Sequence, residues 1–166
     1  AAQAHGARLE GRRTGTLARS VEAWKAGKLK LKAGAIEERV TYHDPCNIAR
    51  QRWITEQPRE LLEHICKDFV EMTPNREDNI CCGGGGGTVS IDEIRPYRTM
   101  VSGKLKADQV RATGAKYLVA PCANCKKQLR ELMEDQKVDA EVVGLHDLLY
   151  KAIEFEQPAQ TAGSEK

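Results

Sequence analysis

An α/β domain is predicted, built on a small parallel sheet with helices on both faces and ligand loops at the carboxyl ends of the strands. Three observations carry that expectation. Runs of β-branched and apolar residues, such as ERVTY and KYLVA, alternate along the chain with segments of helical periodicity. Such alternation builds parallel sheets, because each crossover helix covers a face. Most of the cysteines, moreover, fall just after expected strands, where open parallel sheets place their chemistry. At 166 residues, 40% hydrophobic and 30% charged, the chain can bury a core without disulfides.

The opening stretch AAQAHGARLEGRRTGT reads as linker. Leu17, Val21 and Trp24 then recur at helical spacing, so a short N-terminal helix follows, and KAGKLKLKAG is a solvated connection. ERVTYHDPC is a strand stopped by His-Asp-Pro, which leaves Cys46 just past its end. From Pro58 onward Leu61, Leu62, Ile65, Cys66, Phe69 and Val70 follow one helical face, although DFVEM reads equally as a short strand. TPNREDN is turn chemistry that delivers the chain to Cys81 and Cys82. A helix is expected from about Ile94 to Ala112, with Ile94, Tyr97, Val101 and Leu105 facing inward and Gly114 just past its end. AKYLVAP is a buried strand, and ANCKKQLRELMED a helix whose inner stripe is Cys125, Leu129, Leu132 and Met133. AEVVGL is a last strand, after which Leu148, Leu149, Ala152 and Ile153 mark a final helix. The expected division is residues 1–36 for linker and first helix, 37–156 for the domain that holds the cysteines, and 157–166 for a polar tail.

Charge and hydropathy exclude several classes. The 26 basic and 24 acidic residues leave a net charge of +2 with no basic footprint, so nucleic acid is not an expected partner. No run approaches the roughly 18 apolar residues of a membrane span, and no secretory signal is recognisable. The chain is expected to be cytoplasmic, with any membrane association made through partner subunits. It begins without Met, which suggests a piece of a longer chain or a trimmed one.

Five of the six cysteines, Cys46, Cys81, Cys82, Cys122 and Cys125, follow the pattern C-x34-C-C-x39-C-x-x-C and would meet at one sheet edge from three loops. Three chemistries compete for them. Structural zinc takes four ligands, usually as two C-x-x-C pairs, whereas only one such pair exists here and the other is vicinal. A dithiol redox site at Cys122 and Cys125 leaves three sulfurs without a role. An iron–sulfur cluster uses thiolates at every corner and employs all five. The stretch NICCGGGGGTVS then gains a purpose, because backbone N–H groups can stabilise an anionic cluster only where no Cβ blocks their approach. Gly83, Gly84 and Gly85, directly after the cysteine pair, are the expected cofactor-binding glycines. Lys126, Lys127, Arg50 and Arg52 lie close in sequence to these cysteines and would shift a cluster's potential upward.

The words YHDPC, NICCGGGGG and VAPCANCKKQL resemble the CCG cysteine-rich domain of heterodisulfide-reductase-like iron–sulfur subunits. Within that family the likeness is to subunits of membrane redox complexes in sulfate reducers, the K-type subunit of the sulfite-reduction-associated complex among them, and it spans residues 38 to 153. The resemblance implies that Cys46, Cys81, Cys82, Cys122 and Cys125 ligate a non-cubane [4Fe-4S] centre. It also implies cleavage of a disulfide or related sulfur bond in two one-electron steps. No ferredoxin-like cysteine run is present, so electrons are expected from a ferredoxin-like domain or subunit, with a quinone-interacting membrane subunit and a disulfide-bearing protein or small molecule as further partners. Two other functions stand beside this one: a structural zinc-binding or docking module, and an electron-relay subunit of a 2-hydroxy-acid oxidising complex.

Other residues have plainer readings. Cys66 lies on a helical stripe and reads as core. The glycine run is no phosphate cradle, since no G-K-[ST] follows it. His43 either closes the turn with Asp44 or donates a proton to a leaving thiolate, its catalytic reading. His146 opens the last helix, as a capping or packing residue or in proton delivery. Lys126 and Lys127 read most simply as a solvated helix face.

Overall fold

Four strands, β1 (Ile36–Tyr42), β2 (Cys66–Phe69), β3 (Tyr117–Val119) and β4 (Glu141–Val143), run parallel in the order β2-β1-β3-β4 in the computed structural model, which describes residues 15–155. The helices are α1 (Thr16–Lys25), α2 (Cys46–Ala49), α3 (Glu56–Ile65), α4 (Lys104–Thr113), α5 (Ala123–Asp135) and α6 (Leu145–Ala152). Of the linker expected over residues 1–16, residues 1–14 lie outside the described residues, as does the polar tail expected over 157–166, while Thr16 already opens α1.

The expected α/β architecture is what forms, with a core on each face of the sheet. Successive strand residues point to opposite faces, so Val119 and Val143 join one cluster while Leu118 and Val142 join the other. The first cluster packs Leu17 and Val21 of α1, Leu61, Leu62 and Ile65 of α3, and Leu145 and Leu148 of α6 against Val40 and Tyr42. The second packs Ala107 and Val110 of α4 and Cys125, Leu129, Leu132 and Met133 of α5. The predicted stripes of the last two helices are therefore the buried ones, except that Ile153 falls just past the end of α6 and is only partly buried.

Three expectations change. The helix from Pro58 stops at Ile65, and Cys66 opens strand β2 opposite Ile36 instead of continuing the helical face. The sheet offers main-chain partners there, and pairing with β1 outweighs one more helical turn. In the connection after α1, Leu31 is buried and bridges Ile153, so that segment is pinned to the end of α6 and not fully solvated.

The third change reverses a face. Tyr97 is 63% exposed, Val101 61% and Leu105 62%, although all three were expected inside. Residues Tyr97–Ser102 form a π turn, whose extra residue per turn rotates the register ahead of α4. Gly103 then lies so close to its neighbours that a Cβ would sit 2.6 Å from Leu132 Cδ1 and 2.5 Å from the Arg98 carbonyl oxygen. The face carried inward is Arg98, Thr99, Lys106, Ala107, Gln109 and Val110. Gly114 does close α4 in the left-handed conformation, as expected.

Candidate metal centre

The register of the sheet sets the geometry of the site. Tyr42 pairs with Val119, so β1 and β3 end flush, and His43 N–H extends the ladder to the Val119 carbonyl at 2.9 Å. The chain leaves β1 towards β2 on one side and takes β3 and β4 on the other, so β1 and β3 flank the switch point where an open parallel sheet leaves a crevice. Cys46 opens α2 just after β1, and Cys122 caps α5 just after β3. Cys81 and Cys82 arrive on the long loop after β2.

Loop contacts hold the vicinal pair in place. Arg50 donates to the Asn79 carbonyl at 2.8 Å, and Lys127 Nζ to the Val89 carbonyl at 2.6 Å, which fastens the loop on either side of the cysteines. Cys82 Sγ lies 3.3 Å from Cys125 Sγ. The Cys81 thiol interacts with those of Cys82 and Cys46, and Cys122 packs against the cluster that contains Cys82 and Cys125. All six cysteines are free. Cys66, 6% exposed, belongs to the core of the first face, away from the other five.

Two of the glycines meet cysteine sulfur through their backbone N–H groups. Gly83 N–H donates to Cys81 Sγ at 3.4 Å and Gly84 N–H to Cys82 Sγ at 3.5 Å. Gly84 admits no side chain, since its Cβ would stand 2.8 Å from Gln128 Cβ. Gly85 contributes its carbonyl to Thr88 Oγ1 at 2.8 Å, which closes the loop on itself.

Burial and sharing keep the Cys81 and Cys82 thiols protonated when no metal is bound. The hydrogen bond with Cys125 pushes Cys82 up to about 11, and the one with Cys82 raises Cys81. Burial alone pushes Cys66 up to about 12. A metal bound by Cys81 and Cys82 would therefore release protons.

His43 is fully buried, and its ring lies with Cys82 and Cys125 in a group whose ligand atoms are all within 4.8 Å of one another. Neither ring nitrogen has a hydrogen-bond partner among the described residues. Burial, with Lys106 nearby, lowers the imidazole to about 3 and keeps it neutral. The ring does not close the turn, because Asp44 does so alone: its carboxylate takes Arg59 Nη1 at 3.0 Å, Arg59 Nη2 at 2.8 Å and Arg76 N–H at 2.7 Å. His146 is exposed, lies 3.4 Å from Ser20 Oγ and, with Cys122, Pro121, Pro45, Ile48 and Ile54, lines a cavity of about 410 Å³.

Sequence reasoning missed the buried polar residues under the cysteine edge. Lys106 is 1% exposed and donates to Gln109, which is held by the Pro74 carbonyl. Burial lowers its ammonium to about 8, against the pull of Cys82, Asp44, Cys81 and Cys125. Arg98 pairs with Glu131 at 3.0 Å and donates to Gln128, while Arg98 Nε and Nη2 and Gln128 Nε2 have no partner among the described residues. Gly103, Ala107 and Val110 recur at helical spacing and form a small-residue stripe. That stripe would have placed Lys106 inward. The cations adjacent in sequence to the cysteines are compensated instead, Lys126 by Asp147 at 3.0 Å and Arg52 by Glu77 at 2.9 Å.

The donor set suits an anionic thiolate-bound centre. Free thiols meet from three loops, N–H groups point at sulfur, and buried donors on His43, Arg98 and Gln128 lack acceptors among the described residues. A hydrocarbon-lined pocket would leave those donors uncompensated. The family model described as "CCG: Cysteine-rich domain" matches residues 40–130, over half of the chain. The chain belongs to the CCG cysteine-rich domain family.

Relatives of this CCG domain are known by name. It is 34% identical over 118 residues to the Hdr-like menaquinol oxidoreductase iron-sulfur subunit 2 of Archaeoglobus fulgidus, covering 68% of this chain and 21% of that one. It is 32% identical over 130 residues to one subunit of the dihydromethanophenazine:CoB--CoM heterodisulfide reductase of Methanosarcina barkeri, covering 78% and 31% respectively. One subunit of the fumarate reductase (CoM/CoB) of Methanothermobacter marburgensis is 31% identical over 121 residues, covering 72% and 24%. The match thus spans about a fifth to a third of these curated relatives. No solved structure matches the chain. No helix among the described residues is long and apolar enough to cross a membrane.

Proposed function

We infer that this CCG domain is the iron–sulfur part of a heterodisulfide-reductase-like redox complex. Cys46, Cys81, Cys82, Cys122 and Cys125 hold a [4Fe-4S] centre of non-cubane type, and the complex reduces a disulfide or related sulfur bond. The observation that carries this reading is the gathering of free thiols from three loops at the β1/β3 switch point, with N–H groups directed at sulfur. The names of the relatives, two of them Hdr-like or heterodisulfide reductase subunits, support it.

The bound centre would supply iron on which a substrate sulfur can sit while electrons pass one at a time. The overall change is R–S–S–R′ + 2 e⁻ + 2 H⁺ → RSH + R′SH. The S–S bond breaks, and each sulfur takes one electron and one proton. Both electrons come from a ferredoxin-like domain or subunit, which a quinone-interacting membrane subunit supplies in turn. The protein residues confine this chemistry: Gly83 and Gly84 donate to thiolate sulfur, His43 offers an N–H from a neutral ring, and the cavity beside Cys122 admits a small sulfur compound.

Anaerobic reconstitution with iron and sulfide, followed by metal analysis and EPR, tests the assignment. About four irons per chain are expected, lost in Cys82→Ser and retained in Cys66→Ser. Addition of a disulfide or thiol is expected to change the EPR signal. Freshly purified protein with about one zinc and no iron would instead identify a zinc module.

A further inference from the structure

The second face of the sheet buries an ammonium group without giving it a counter-ion. Lys106 is 1% exposed, and its only hydrogen-bond partner among the described residues is the neutral Gln109 side chain. No carboxylate forms an ion pair with it among those residues. Asp44, the carboxylate whose charge reaches it, is already committed to the Arg59 guanidinium through two hydrogen bonds. The thiols of Cys82, Cys81 and Cys125 are also close enough to act on its charge. A buried cation with no anion beside it is costly, and a negative charge arriving beside it offsets that cost.

We propose that Lys106 is the built-in counter-cation of the metal centre, its charge balancing the thiolates of Cys81, Cys82 and Cys125 and raising the centre's reduction potential. The proposal rests on the iron–sulfur reading above. A reduced centre carries one more negative charge than the oxidised one, and a fixed cation favours the more negative form. Lys106 is a tuning residue, not a catalytic one.

Two variants separate charge from hydrogen bonding. Lys106→Gln keeps a polar group for Gln109 and loses the charge, whereas Lys106→Met loses both. In the reconstituted chain, each is expected to lower the ratio of reduced to oxidised centre at the native midpoint at least tenfold. That corresponds to about 59 mV for one electron. An unchanged potential in either variant would overturn the proposal, since Gln restoring the native value makes the hydrogen bond responsible. In the metal-free chain Lys106→Met is expected to be no less stable in urea than the native protein. A clear fall in the urea midpoint there would make Lys106 a structural residue and also overturn the proposal. Failure of the native chain to take up iron and sulfide is a separate result, seen before any variant is compared, and removes the function itself.

Discussion

On the first face of the sheet the buried cation is Arg59, and it is met from every side. Its guanidinium bonds both oxygens of Asp44, pairs with Glu71, donates to the Thr55 carbonyl and lies 5.4 Å from the centre of the Tyr42 ring. On the second face Arg98 is paired with Glu131, and the buried cation without a counter-ion among the described residues is Lys106, with a neutral amide for a partner and cysteines for company. Arg59 has the geometry of scaffold: its fork joins α3 to the turn after β1 and to Glu71, and so holds the start of the cysteine loops. Lys106 has the geometry of a site, with a charge held ready for something outside the polypeptide. A paired buried charge marks what the fold needs, and an unpaired one marks what it receives.

The largest expected effect follows from breaking the paired side. Arg59→Met strands the Asp44 carboxylate, which is 1% exposed, without its guanidinium. Removing one member of a buried pair costs about 3–5 kcal/mol. Urea unfolding of the metal-free chain should show that loss in Arg59→Met, with little or none in Lys106→Met. Equal losses would erase the distinction between the two faces.

A smaller effect separates the faces by pH. The His43 imidazole, ordinarily near 6.5, is lowered to about 3 by burial, with Lys106 adding to the shift. Between those values the unfolded chain binds a proton that the folded one refuses, so this contribution is present above 6.5 and is lost as pH falls. The slope is at most about 1.4 kcal/mol per pH unit for one proton. In the metal-free protein, stability between pH 6.5 and 5 should fall more steeply in the native chain than in His43→Asn. Identical slopes would mean that the ring is not held neutral.

The faces also differ in how far they can be read from sequence. The first is written in long apolar residues at helical spacing, such as Leu61, Leu62 and Ile65 or Leu145, Leu148 and Leu149, and hydrophobic periodicity finds these directly. The cysteine edge was equally open to reading, because Cys46, Cys81, Cys82, Cys122 and Cys125 each follow an expected strand or its loop. The inner polar layer was not. Tyr97, Val101 and Leu105 make a convincing apolar stripe, yet a π turn and a glycine at 103 turn it to solvent and bring Arg98 and Lys106 inward. Periodicity assumes one uniform helix and assumes that burial follows hydrophobicity. Both assumptions fail where the protein places charge beneath the cysteine edge.

The smallest predicted effect tests whether nearness in sequence or burial decides which cation matters. Lys126 follows Cys125 directly in the chain, so sequence alone makes it a candidate for raising a cluster potential. Its ammonium, however, lies 3.0 Å from Asp147 at the rim of the α5–α6 cavity, with the Asp147 side chain 58% exposed. Water and that carboxylate already screen it, and such pairs contribute below about 1 kcal/mol. Lys126→Met should therefore leave both the unfolding midpoint and the midpoint potential of the reconstituted centre near the native values, whereas Lys106→Met, twenty positions away in the chain, moves the potential. A shift in Lys126→Met as large as that in Lys106→Met would show that the field at the cysteines is set by rim charges, and the unpaired ammonium under the sheet edge would lose its claim to tune the site.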